Sequence, residues 1–121
     1  MNLDLETAKT SQKIIESTMN NKSSEVENLI TKTLGVLQEN GIYACTLYLN
    51  SRTSEAEKKI GPVIHEELLK MTKRLVKTPT KNDDYEYLTD EICSDIDLLI
   101  LTKQLWEQTL TYARYGAKAR T

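Results

Sequence analysis

Ser94–Thr121 reads SDIDLLILTKQLWEQTLTYARYGAKART, and this stretch decides the fold. Ser94 stands at a helix N-cap position, with Asp95 and Asp97 where the positive end of a helix dipole favours acids. Arg114, Lys118 and Arg120 stand where the negative end favours cations. At about 100° per residue, Leu98, Leu101, Leu105 and Tyr112 form an apolar stripe. Lys103, Arg114 and Lys118 fall in one narrow sector away from it. The segment therefore predicts one long helix with a buried face and a basic face suited to a polyanion.

Working back from that helix, the chain predicts five or six helices and no strand. The first covers about Leu3–Met19, with Leu5, Ala8, Ile15 and Met19 at three-to-four spacing. NNKSS breaks it, and Ser24–Glu27 has the capping-box pattern that opens a second helix. Val26, Leu29, Ile30, Leu34 and Leu37 form its buried stripe, and Asn40–Gly41 is the stop. The apolar run Ile42–Ser51 is compatible with a strand, but it has helical flanks and no partner strand, which favours helix. It is expected to be central in the bundle or to offer one face to another chain. Ser54–Glu57 caps one further turn, and Pro62 suits the first position of a helix reaching about Lys77. Lys77–Asp84, KTPTKNDD, is the expected loop; a short helix over about Tyr85–Cys93 leads into the last one. The expected fold is all-α: a compact bundle forming one domain over residues 1–121.

Composition agrees with this. Only 4 Gly and 2 Pro in 121 residues favour long helices over turn-rich β architecture. There is no Phe, so Leu, Ile, Tyr and the single Trp must fill the core. The net charge of −2 means that polyanion binding must come from a local basic face, because salt screens exposed charges beyond about 8–10 Å. Cys45 and Cys93 lie in apolar helical surroundings and read as small core hydrophobes. Two Cys and one His are too few soft ligands for a zinc site. MNLDLETAKT carries acids and no apolar signal region, and no run reaches the ~20 apolar residues that span a bilayer, so a cytoplasmic protein is expected.

Catalytic signals are weak. There is no glycine-rich phosphate loop, no nucleophile elbow and no pair of ligands at metal spacing. His65, followed by Glu66 and Glu67, reads as a surface or boundary residue rather than a general base. Asp83, Asp84, Glu86, Asp90 and Glu91 lack calcium-loop spacing and read as an acidic surface for a basic partner. The cations are more organised. Lys70, Lys73, Arg74 and Lys77 repeat at i, i+3, i+4, i+7, opposite Ile64, Leu68, Met71 and Leu75. With Lys103, Arg114, Lys118 and Arg120 they form two candidate phosphate-contacting faces, although Glu66 and Glu67 lie one turn from Lys70. Tyr112 and Tyr115 flank Arg114, an arrangement that serves either helix packing or base stacking. The expectation is a protein that is not an enzyme and needs no cofactor.

Ile30–Asn50, ITKTLGVLQENGIYACTLYLN, together with TKQLWEQTLTYARYGAKA, resembles the small helical subunit of type III-B CRISPR effector (Cmr) complexes. The resemblance lies in Asn40–Gly41–Ile42, Thr46–Leu47–Tyr48–Leu49, Thr102–Lys103 and Arg114–Tyr115–Gly116–Ala117. It implies an all-α, non-enzymatic subunit that stacks in several copies along a filament. The expected neighbours are backbone repeat subunits and the large signalling subunit, with the guide RNA–target RNA duplex held between them. By resemblance, the nucleic-acid contacts fall on Lys103 and Arg114, with Lys32 a further transfer. Lys118 and the Lys70–Lys77 row come from helical geometry alone. The rival expectation is a protein-interaction module without RNA contact, which the net charge favours.

Overall fold

An amphipathic helix must cover its apolar face, and here four long helices cover one another. The structure, a computed structural model, describes residues 2–120. α1 spans Leu3–Ser17, α2 Ser23–Asn50, α3 Glu57–Leu75, α4 Asp84–Tyr87 and α5 Ile96–Ala119, with a π-helical turn at Leu88–Ile92 after α4. Among the described residues there is no strand, and the fold is a compact all-α bundle. Thr121, which the sequence placed in the last helix, lies outside the described residues.

α5 packs against α1 and α2, and α3 packs against the same two helices. α3 and α5 therefore face each other across the bundle. Lys103 Nζ reaches the Gln38 carbonyl and Arg120 reaches the Asn21 carbonyl, so α5 runs antiparallel to the first arm of α2. Trp106, Tyr87, Leu29, Ile30, Ile64 and Leu68 are among the fully buried side chains. No helix among the described residues is long and apolar enough to cross a membrane.

Several helix limits differ from those the sequence implied. Asp95, not Ser94, caps α5: its Oδ1 accepts from the Asp97 and Leu98 amides. The capping pattern at Ser24 does not open α2, which starts at Ser23 with Lys22 in the cap position. Gly41 interrupts α2 as expected of a stop, yet its φ of 91° and ψ of −173° let the chain resume as helix at once. The expected third helix is thus the second arm of α2. It buries Ile42, Cys45, Thr46 and Leu49 while exposing Tyr43 and Leu47.

Pro62 lies inside α3, not at its first position. The Ser54 hydroxyl accepts from the Glu57 amide and starts the helix five residues earlier. Pro62 is exposed, so the carbonyl that lacks its N–H faces the solvent side.

α1 buries Thr7, Thr10, Ser11 and Ile14, while Leu5 and Met19 of the expected stripe are exposed. The hydroxyls of Thr7, Thr10 and Ser11 donate to carbonyls one turn back, at 2.9, 2.9 and 2.6 Å, which lets them be buried without loss of a partner. α5 also buries hydroxyls, along the seam Thr102, Leu105, Trp106, Thr109, Leu110, Ala113 and Ala117. There, however, Thr109 donates to Met71 Sδ at 3.4 Å, and Thr102 Oγ1 has no hydrogen-bond partner among the described residues. Leu98, Leu101 and Tyr112 of the expected stripe sit at its half-buried edge.

Candidate nucleic-acid interface

The α3 row is the first of the two predicted basic faces. Its spacing puts Lys70, Lys73 and Arg74 on the outer side of α3, but the helix ends at Leu75 and leaves Lys77 beyond it. Carboxylates from three elements converge on the row. Lys70 pairs with Glu66 at 3.1 Å and lies 3.8 Å from Glu67. Lys73 pairs with Asp84 of α4 at 3.1 Å and lies over the Tyr87 ring. Arg74 pairs with Glu6 of α1 at 3.0 Å. The Lys77 ammonium donates to the Arg74 carbonyl at 3.2 Å, near the α3 C-terminus. The expectation of an open cationic row is corrected here: three of its four members face a carboxylate, so their fields largely cancel at a distance. The glutamate hydrogen bond holds the Lys70 ammonium above its ordinary pKa.

Lys32 is tied in a similar way. Its ammonium is 2.9 Å from Glu57, a hydrogen bond that raises its pKa, and Arg52 approaches the same carboxylate at 3.8 Å. Arg52 in turn lies 3.7 Å over the Tyr48 ring and donates to the Tyr48 carbonyl. These contacts join α2 to the start of α3.

The α5 row is different. Arg114 and Lys118 are exposed, stand one turn apart, and have no ion-pair partner among the described residues. Lys103 is half-buried, its ammonium 3.5 Å from the Gln38 carbonyl, so it sits against α2 rather than projecting freely. Glu107, one turn beyond Lys103, interrupts the row. Arg120 leaves the surface: its guanidinium donates to the carbonyls of Thr18 and Asn21 and so closes the end of α1. The two tyrosines also separate. The Tyr112 hydroxyl donates to Asp4 of α1, whereas Tyr115 is 64% exposed beside Arg114.

Two further cations, not singled out from the sequence as contacts, lie outside the α5 row. Lys9 and Lys13 are exposed on α1 and line a shallow groove with Glu6, Thr10, Glu67, Lys70 and Arg74 of α1 and α3. Their four-residue spacing was visible in the sequence; their neighbours on α3 were not.

Chemically reactive groups are few and constrained. His65 is buried, not at the surface, with Nε2 3.2 Å from Asp84 Oδ2 and Nδ1 enclosed without a hydrogen-bond partner among the described residues. Burial alone raises the Asp84 carboxyl, but hydrogen bonds to His65 and Lys73 outweigh it and hold the group below its ordinary value. Burial pushes the Cys45 thiol up to about 12 and raises that of Cys93, so both are thiols at neutral pH. Among the described residues no group of three or more His, Cys, Asp or Glu could hold a metal ion.

Fold and surface together define an α-helical bundle with an unpaired basic patch on its last helix and a mixed-charge groove between α1 and α3. Comparison with known families, curated proteins and solved structures finds no match to this chain.

Proposed function

We propose that this chain is a non-catalytic small subunit of a type III-B CRISPR RNA-guided effector complex, active in antiviral defence in the cytoplasm. The resemblance of Ile30–Asn50 and Thr102–Ala119 to that family motivates the reading. Its physical support is a single observation: Arg114 and Lys118 project from adjacent turns of α5 with no ion-pair partner among the described residues, while most other predicted contacts are held by carboxylates.

In this role Arg114 and Lys118 neutralise phosphates of guide or target RNA, and Lys103 adds to them by leaving the Gln38 carbonyl. Such contacts position the nucleic acid and carry no sequence preference. Each is weak alone, and affinity comes from repeated copies in the particle. Exposed apolar side chains supply contacts to protein neighbours: Ile96 and Ile100 at the start of α5 are 70% and 51% exposed.

Charge reversal at Arg114 and Lys118 tests the reading in the assembled complex. Target-RNA retention should fall, most at low salt and with a shallower dependence on salt than wild type, with assembly intact. Retention equal to wild type across a salt series would rule out the RNA role. The same apolar side chains, with the net charge of −2, support a second reading: an adaptor that binds only protein. Purification from the native host separates the two. Nuclease-sensitive recovery with a multi-subunit particle supports the first; one protein partner that resists nuclease supports the second.

A further inference from the structure

We infer that the groove between α1 and α3 is a second anion site, built to seat two adjacent phosphates. Lys9 and Lys13 from α1 face it with Lys70 and Arg74 from α3, around an open volume of about 380 Å³. On each helix the two cations are four residues apart, so each pair spans one turn and the groove runs along both axes. That length suits a phosphodiester step of a nucleic-acid strand or the phosphates of a polyphosphate chain.

The arrangement of charge supports this more than the count does. Four cations and the carboxylates of Glu6 and Glu67 line the groove, a balance of plus two; Glu66, which holds Lys70 from outside, reduces it to plus one. The lining acids are recessed, however: the Glu6 and Glu67 side chains are 23% and 12% exposed, against 53% for Arg74 and 58% for Lys70. The acids lie lower and orient the cations, while the cations form the rim that an incoming anion meets. Lys9 and Lys13 have no ion-pair partner among the described residues and are available at once. Lys70 can turn from Glu66 at little cost, since an exposed ion pair is weak. The Thr10 hydroxyl donates to the Glu6 carbonyl and presents a lone-pair face, so the selectivity rests on charge.

This site is separate from the α5 patch, and its test reads independently of the proposed function. Inorganic pyrophosphate is titrated by calorimetry, and a short unstructured RNA strand by fluorescence anisotropy, both at low salt. The proteins are wild type, Lys9→Gln with Lys13→Gln, and Arg114→Gln with Lys118→Gln. The groove pair should lose about tenfold or more in affinity for at least one probe, the loss expected for charge-assisted contacts. The α5 pair should leave pyrophosphate binding unchanged. Loss with pyrophosphate identifies a free phosphorylated ligand; loss with RNA alone identifies the strand backbone. The inference is overturned if neither probe binds wild type, if the groove pair binds both as wild type does, or if pyrophosphate affinity follows the α5 pair instead. Both lysines are exposed and have no ion-pair partner among the described residues, so the circular dichroism spectrum should not change. Should the double variant lose helicity, Lys13→Gln alone answers the same question through a smaller loss of affinity.

Discussion

The indole N–H of Trp106 donates to the Thr72 hydroxyl at 2.8 Å, and that hydroxyl donates to the Leu68 carbonyl at 2.7 Å. Both side chains are fully buried, and the relay is a polar link across the bundle between α5 and α3. Thr72→Val keeps the shape and removes the acceptor, leaving a buried indole donor unpaired. It should destabilise the fold by about 1–3 kcal/mol, while Thr72→Ser should cost less. Urea denaturation of the three proteins checks this; equal stability of the Val variant would show that the indole finds another acceptor.

Gly61 and Gly35 should respond to alanine with opposite signs. A Cβ on Gly61 would stand 2.2 Å from the Leu49 carbonyl oxygen, where the start of α3 crosses the second arm of α2. Backbone must move to admit it, so Gly61→Ala should cost about 1–3 kcal/mol or more. A Cβ on Gly35 meets nothing within 4 Å on an exposed helical position. Gly35→Ala should therefore stabilise by about 0.5–1 kcal/mol through helix propensity. Thermal melts of both variants measure the contrast, and a stabilised Gly61→Ala would mean the crossing is looser than the contact distance implies.

Periodicity carried the helices because Leu, Ile and Val at three-to-four spacing leave few alternatives, and Gly41 marked the break in α2 at the right residue. The buried face of α1 was hidden for a definite reason. Threonine and serine count as polar in a pattern, but once bonded to the carbonyl one turn back they can be buried like small hydrophobes. Pro62 misled because a helix start is its commonest helical place, so the cap at Ser54–Glu57 read as a separate turn when it opens α3 itself. At the surface, only short-range pairing was legible: Lys70 with Glu66 is an i, i+4 pair, whereas Arg74 meets Glu6 across 68 residues and Lys32 meets Glu57 across 25. Those partners appear only when the helices are packed, and they separate held cations from Arg114 and Lys118, which have no ion-pair partner among the described residues.

Asp84 joins α4 to α3 through His65 and Lys73, and its contribution should depend on pH with a defined sign. Its carboxyl is held below the ordinary value in the folded state, so the stability it adds is fully present above the unfolded carboxylate pKa of about 3.9. That stability is lost as pH falls through the lower folded value. The group is partly exposed, so Asp84→Asn should cost only about 1 kcal/mol at neutral pH. The gap between wild type and variant should close in acid. Denaturation curves at neutral and acid pH test this, and a gap that widened on acidification would contradict the assigned direction.

Lys73 and Lys118 are both lysines predicted as phosphate contacts, and the structure gives them different expected behaviour. Lys73 is held between the Asp84 carboxylate and the Tyr87 ring, with a side chain 28% exposed; Lys118 is exposed and unpaired among the described residues. If α5 neutralises phosphates, Lys118→Ala should lower the slope of log affinity against log salt by about 0.7 per lost contact on single-stranded RNA. Lys73→Ala should leave that slope unchanged and instead lower the melting temperature, because it removes a partner from Asp84. Measuring both variants in one salt series and one melt separates the two roles. A slope change at Lys73 equal to that at Lys118 would mean the Asp84 pair opens for RNA, and the held and free cations would then have to be treated as one surface.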